Sequence, residues 1–257
     1  MTAPDVLTAR DGPVLTVAFN RPATANALTW PMYDAVAGAC AAVDADDTVR
    51  CLVLRGAGES AFAAGTDIGE FAGFASPDDG AAYEDRVGRV IGRLASVGVP
   101  TIALVRGHAV GGGLMLAAAC DIRVCAAGTR FGVPIARTLG NCLSQDGYEL
   151  LADRLGSPVL LRMLLTAELC DATDLLASGF VTEVTVGDQV ESRVAELAAR
   201  VSALAPLTLR AAKLADRGRR QRAPAYVDFV RLCYGSRDFA AGVAAFLDHR
   251  RPAWTGA

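Results

Sequence analysis

Apolar residues recur along this chain in two rhythms, one of strand length and one helical. Val6–Arg10 and Val14–Phe19 are short apolar runs flanking Asp11-Gly12, a dipeptide suited to a two-residue hairpin turn, so an antiparallel pair is predicted. Continuous apolar runs at Cys51–Arg55, Thr101–Val105 and Ile122–Ala126 read as buried strands. Between them the period becomes helical. Thr29 is placed to cap a helix with Pro31 in its first turn, running to about Asp44. A short helix is expected near Ile68–Phe74. A longer one is expected from about Asp79 to Ser96, with Val87, Val90, Ile91 and Leu94 on one face. Gly111-Gly112-Gly113 opens an Ala-rich helix ending near Asp121. Strands thus alternate with helices across connections long enough for parallel crossovers, which predicts an α/β core.

After about Asp146 the pattern is mostly helical, with one short strand near Val181–Val184. The stretch Ala223–Trp254 spaces Val227, Val230, Leu232, Val243, Phe246 and Leu247 as a helix does. The expected division is a core over residues 1–200 and a helical region over 201–257, acting as a lid or an oligomer interface.

Composition narrows the function classes. With 257 residues, 52% of them apolar, the chain buries a substantial core. A net charge of −3 supplies no basic patch, so nucleic acid is not an expected partner. The longest uncharged runs, Leu94–Val105 and Ala109–Cys120, are too short to span a bilayer. The start, MTAPDVLTARDG, lacks a cationic stretch followed by an apolar run, so a cytoplasmic protein is expected. Seven cysteines, with no CxxC spacing, argue against a metal site or disulfide framework and for a reducing compartment. Cys142 has no neighbouring His to activate it and reads as an inert buried thiol.

Two glycine-bearing loops carry the candidate chemistry: Ala63–Ile68, after the strand at Cys51–Arg55, and Gly107–Gly113, after the strand at Thr101–Val105. Each leads from a strand into a helix, where free backbone N–H groups and the helix dipole favour negative charge. Two such groups converging on one oxygen would make an oxyanion hole. The second loop has neither GxGxxG nor GxxxxGK[ST], so dinucleotide and P-loop readings are poor.

The order and spacing of several segments resemble the crotonase (enoyl-CoA hydratase/isomerase) superfamily over nearly the whole chain. They are Phe19-Asn20-Arg21-Pro22 with Asn26-Ala27-Leu28, Val53–Gly58, Ala61–Ile68, Gly107 to Gly111-Gly112-Gly113, Ala119-Cys120-Asp121, Phe131–Pro134, Leu165–Ala167, Ala177–Val181 and Ala245–Arg250. The resemblance implies a spiral of ββα turns followed by helices that assemble a homotrimer or a dimer of trimers. It implies that the backbone N–H groups of Thr66 and Gly112 form the oxyanion hole. Ala23, Ala25, Ala64, Gly65, Asp67 and Ile68 would line the coenzyme A groove. His249 stands where the family often carries a Lys near the nucleotide phosphates. Coenzyme A would enter as part of the thioester substrate, with no permanent cofactor and no metal.

The chain departs from the family's hydratases at the two positions that carry their catalytic Glu. Met115 occupies the first; Ile135, or Ala136 if the loop is aligned one residue later, occupies the second. None of these side chains moves a proton. Ser144 stands where some family members place an Asp, and Asp146, Glu70 and Glu149 are the nearby carboxylates. Asp146 is the candidate proton carrier, with a helix N-cap as its alternative role. Glu70, Met115, Ile135, Ala136 and Ser144 are expected to line the acyl pocket. Asp67 and Asp121 suit local capping roles, and Tyr148 suits packing. The implied function is an acyl-CoA thioester enzyme, a lyase or isomerase that stabilises an enolate but is not an efficient standard hydratase. The alternatives are a non-catalytic acyl-CoA binder and a malonyl-type decarboxylase, in which departing CO₂ generates the enolate without a base.

Overall fold

A computed structural model describes residues 3–186, 189–221, 235–250 and 252–257. The expected helix positions Val227, Val230 and Leu232, the side chains of Phe246 and Leu247, and Cys233 lie outside the described residues.

The predicted hairpin is present: β1 (Val6–Asp11) pairs antiparallel with β2 (Val14–Phe19). It edges a six-stranded sheet ordered β1-β2-β3-β5-β7-β10, with β3 at Cys51–Gly56, β5 at Thr101–Val105, β7 at Ile122–Ala126 and β10 at Glu183–Thr185. From β2 onward every pairing is parallel. A second sheet, β4-β6-β8-β9, is built of strands of two or three residues: Ala61–Ala63, His108–Val110, Arg130–Gly132 and Cys170–Asp171. Strands that short leave no readable alternation, which is why the sequence pattern does not predict this sheet.

The central strands are buried on both faces, and the period-two alternation sorts their side chains between two cores. Leu52, Leu54, Ala103, Val105 and Cys125 face the larger core, shared with helices α1 (Trp30–Ala45), α2 (Pro77–Ser96) and α3 (Gly112–Ala119). Cys51, Val53, Ile102, Leu104, Val124 and Ala126 face the smaller one, covered by Val190, Val194, Ala198 and Val201 of α7 (Gln189–Ser202). Four further helices are α4 (Ile135–Thr138), α5 (Gln145–Leu155), α6 (Ser157–Thr166) and α8 (Pro206–Gln221), and α9 spans Arg237–Leu247.

Helix starts follow the expected chemistry with two differences. Thr29 holds the N-cap of α1, but its hydroxyl accepts no capping bond and is buried without a partner. Helix α2 begins at Pro77, two residues before the expected Asp79, because the Asp79 carboxylate folds back to accept the amide of Ser76 at 2.7 Å. Buried Arg123 holds the far end of α3, donating from Nη1 to the carbonyls of Ala117 and Cys120. That satisfies helix-end acceptors and fixes the direction in which the opposite end of α3 points. Helix α8 is tied to the core by Lys213, which meets Asp121 at 2.5 Å. Asp121 in turn accepts the Thr101 amide at 2.8 Å, anchoring the start of β5.

Candidate active site

The two glycine-bearing loops meet. Leu28 donates to the Gly65 carbonyl at 2.8 Å and accepts from the Asp67 amide at 2.9 Å, so the loop after β4 runs beside the turn that precedes α1. That turn is rigid for a local reason. Ala25 and Asn26 both adopt left-handed φ, and buried Asn26 spends its whole amide on the backbone. Its Oδ1 accepts from the Arg21 amide and its Nδ2 donates to the carbonyls of Ala57 and Ala61. Arg21 then reaches across to pair with Asp67 at 2.8 Å. This bond, followed by one from the Gly69 amide, holds the Asp67 carboxyl below its ordinary range.

Glycine is required where the loops touch. Gly111 has φ 52° and ψ −118°, a conformation costly for any other residue, and a β-carbon there would lie 3.6 Å from the Gly65 Cα. At Gly113 a β-carbon would fall 2.0 Å from the Ala63 carbonyl oxygen, so α3 packs backbone to backbone against β4. Gly112 opens α3, and a β-carbon at this position would sit 3.5 Å from Thr66 Oγ1. Thr66 and Gly112 are therefore neighbours across the junction. Among the described residues, neither backbone N–H has a protein acceptor.

A chain of hydroxyls lies against this junction. Thr66 Oγ1 shares hydrogen bonds with Tyr33 Oη at 2.8 Å and with Tyr83 Oη at 2.7 Å. Burial is the main force raising both phenols above their ordinary pKa, with smaller pushes from Glu84, so both stay protonated at neutral pH. Trp30 packs on both tyrosines, with ring centroids 5.6 Å away in each case, and Phe71 on Tyr83 at 4.8 Å. Beyond Tyr83 opens a cavity of about 670 Å³ walled by Phe71, Phe74, Tyr83, Glu84, Cys142 and Ser144. That volume suits a small-molecule group, and the wall is mostly apolar with a few polar atoms, as ligand sites are.

Residues 9–257 match the family described as enoyl-CoA hydratase/isomerase. The chain belongs to that family. A 2,3-dehydroadipyl-CoA hydratase of Escherichia coli K12 is 30% identical over 257 residues, covering 98% of this chain and 99% of the relative. An (E)-benzylidenesuccinyl-CoA hydratase of Thauera aromatica is 31% identical, covering 94% and 95%. The crystal structure of an enoyl-CoA hydratase/carnithine racemase from Magnetospirillum magneticum superposes with a TM-score of 0.92 at 33% identity, covering 100% of this chain and 97% of that one. In this family coenzyme A is part of the substrate and not a resident cofactor. Among the described residues no group of three or more His, Cys, Asp or Glu is placed to hold a metal ion, and no helix is long and apolar enough to cross a membrane.

Against this family frame the expected site residues fall into three groups. Thr66, Gly112, Gly65, Ala64 and Asp67 come together at the loop junction, and Ala23 and Ala25 lie in the turn stitched to it, where the Ala64 amide donates to the Ala25 carbonyl at 3.1 Å. Ile68 is exposed beside them. Met115 is 6% exposed and packs into the core one turn along α3, its methyl near Gly147 and Ser144. Ile135 is half-buried against the same core, while Ala136 is exposed.

The expected carboxylates take local partners or face solvent. Asp146 is exposed in the first turn of α5 and does not wall the cavity. Its alternative role as N-cap is taken by Ser144, whose hydroxyl accepts from the Gly147 amide, because α5 begins one residue before Asp146. Glu70 accepts the Trp30 amide at the start of α1. Glu149 is exposed and accepts from Gln145. Cys142, expected to be buried, is exposed on the cavity wall. His249 is exposed, with left-handed φ, at the end of α9. Tyr33, Tyr83 and Glu84 were not among the sequence candidates. Tyr33 is spaced like any buried residue of α1, and only the fold brings Tyr83 and Glu84 of α2 to Thr66 and Ser144.

Proposed function

We propose that this protein binds an acyl-CoA thioester with its carbonyl oxygen between the amides of Thr66 and Gly112, and there stabilises the thioester enolate while remaining a poor standard hydratase. The observation that supports this reading is the contact between the two loops, across which Thr66 and Gly112 are neighbours, with no protein acceptor for either backbone N–H among the described residues. Each amide aimed at developing negative charge contributes about 3 kcal/mol to the transition state. The Ala23–Ala25 turn and the Ala64–Ile68 loop form the adjoining wall for coenzyme A, with the acyl group directed toward the cavity beyond Tyr83. Assembly as a homotrimer or a dimer of trimers belongs to the same reading.

The weak hydratase activity follows from Met115 and Ile135. A general acid or base contributes about 10²–10⁴ in rate, and neither side chain supplies one. Their apolar packing also favours a second reading, a non-catalytic acyl-CoA binder. One experiment separates the two. Acyl-CoA binding is measured by calorimetry and turnover by loss of enoyl absorbance, on crotonyl-CoA and on 3-enoyl and malonyl thioesters. Binding with slow crotonyl-CoA hydration and turnover on another thioester supports the enzyme. Binding with no turnover on any supports the binder. Rapid hydration at rates typical of dedicated hydratases contradicts the account given for Met115 and Ile135.

A further inference from the structure

Two carboxylates of α2 line the cavity beside the hydroxyl chain, the exposed Asp85 and the half-buried Glu84. One of the Glu84 oxygens, Oε2, accepts the Ser144 amide at 2.9 Å, which fixes the side chain across the cavity. Among the described residues no Lys or Arg pairs with it, and Oε1 accepts no hydrogen bond. Its sequence neighbour Tyr83 bonds Thr66 Oγ1 and lines the same cavity, and the Glu84 charge helps to raise the pKa of both phenols that contact Thr66. Its anchor, Ser144, lies by the methyl of Met115: the Met115 Cε and the Ser144 Oγ are 3.2 and 3.1 Å from the same point, a β-carbon placed on Gly147. A carboxylate carried by α2 therefore reaches the region where the α3 side chain at position 115 is inert. It has one oxygen held and one free, which is the arrangement a positioned general base needs.

We propose that Glu84 is the proton-carrying catalytic residue of this site, moving one proton between the α- and γ-carbons of an enoyl thioester. This rests on the reading that Thr66 and Gly112 hold the thioester carbonyl. The step balances with a single carboxylate. Glu84 Oε1 takes the α-proton of a 3-enoyl thioester, and the C–H electron pair moves into a dienolate whose oxygen is held by the two amides. The dienolate then takes the same proton back at its γ-carbon, the double bond moves to the α,β position, and Glu84 is again a carboxylate. No water, oxidant or second acid enters. The buried phenols of Tyr33 and Tyr83 stay protonated and orient Thr66.

The test uses the full-length protein in D₂O and follows, by NMR, exchange of the α-protons of butyryl-CoA, a saturated thioester that can show proton removal without isomerising. Isomerisation of 3-hexenoyl-CoA is measured alongside. Glu84→Gln keeps an oxygen to accept the Ser144 amide, so the fold and acyl-CoA affinity are expected to hold within a factor of about three, while exchange and isomerisation both fall by at least about 10². Glu84→Asp, which retains a carboxylate on a shorter stem, is expected to recover part of both. Exchange in Glu84→Gln within about threefold of the parent, with unchanged affinity, overturns the proposal. So does an intact protein that binds butyryl-CoA and exchanges nothing. Failure of the parent to bind either thioester overturns the reading of the amide pair itself, and a melting curve on each variant distinguishes lost chemistry from lost fold.

Discussion

Tyr33 and Gly112 fit as a pair: a β-carbon on residue 112 would meet the Tyr33 phenol oxygen at 2.3 Å. Tyr33 is fully buried and its oxygen is held by Thr66, so it cannot swing aside at little cost. Gly112→Ala is expected to lower stability by about 2 kcal/mol through overpacking. Tyr33→Phe removes the oxygen that the new methyl would strike. The double variant should therefore be less destabilised than the sum of the singles, with a coupling of roughly 1 kcal/mol or more. Denaturant midpoints of the four proteins check this; simple additivity would mean that the contact is not what limits residue 112.

Gly113→Ala has no comparable relief. Its methyl would fall 2.0 Å from the Ala63 main-chain oxygen, so a strand or a helix must move. The expected loss is about 3 kcal/mol or more, and no side-chain truncation nearby should restore it. Urea unfolding of Gly113→Ala alone and combined with Tyr33→Phe measures this, and recovery in the combined variant would contradict the backbone contact.

Asn26→Asp changes little in volume, yet it replaces an amide donating to the Ala57 and Ala61 carbonyls with an oxygen facing both. A buried acceptor facing acceptors, with a charge attached, is expected to cost about 3 kcal/mol. Because this residue stitches the turn to the loop before Thr66, acyl-CoA affinity should fall with stability. A variant that kept full affinity while losing stability would uncouple the turn from the site.

The Arg21–Asp67 pair gives a pH dependence of known sign. The folded Asp67 carboxyl titrates below its ordinary value of 3.8. Its stabilising contribution is therefore complete above that value and is lost as the pH falls through the lower, folded one. Melting temperatures of the parent and of Asp67→Asn should differ near neutral pH and converge below about pH 4. A gap that stays constant down to pH 3 would rule out titration of this pair.

Exposure sorts the cysteines. Burial pushes the thiols of Cys51, Cys120 and Cys125 up to about 12 and that of Cys40 to about 11, so they are both inaccessible and protonated at neutral pH. Cys142 is open on the cavity wall. Iodoacetamide followed by peptide mapping should modify Cys142 in the folded protein and spare the other four, and a bound acyl-CoA should slow the reaction. Equal labelling of Cys142 and Cys120 would contradict the burial pattern.

The parts of this site that sequence pattern made legible are those whose cause is local. Gly65 and Gly111 mark turns that need positive φ, and the long apolar strands β3, β5 and β7 announce a buried parallel sheet. Met115 and Ile135 were visible because each follows a recognisable glycine- or proline-bearing segment. What pattern could not reach depends on tertiary contact. Glu84 lies 60 residues from the Ser144 amide it accepts, and Tyr83 lies 17 from Thr66. That Ser144 and not Asp146 caps α5 rests on a hydroxyl-to-amide bond that spacing alone does not specify. The three-residue strands of the second sheet are likewise held by pairing partners and not by any alternation of their own.

The most direct test of the amide pair is the infrared stretch of a thioester carbonyl, isotopically labelled with ¹³C in crotonyl-CoA, on binding to the protein. Two hydrogen bonds to one oxygen should lower that frequency below its value in water; Gly112→Ala, whose methyl would strike the Tyr33 oxygen and push the residue 112 amide aside, should return part of the shift, and adding Tyr33→Phe should restore it. A carbonyl that binds tightly yet keeps its aqueous frequency would show that Thr66 and Gly112 do not hold it.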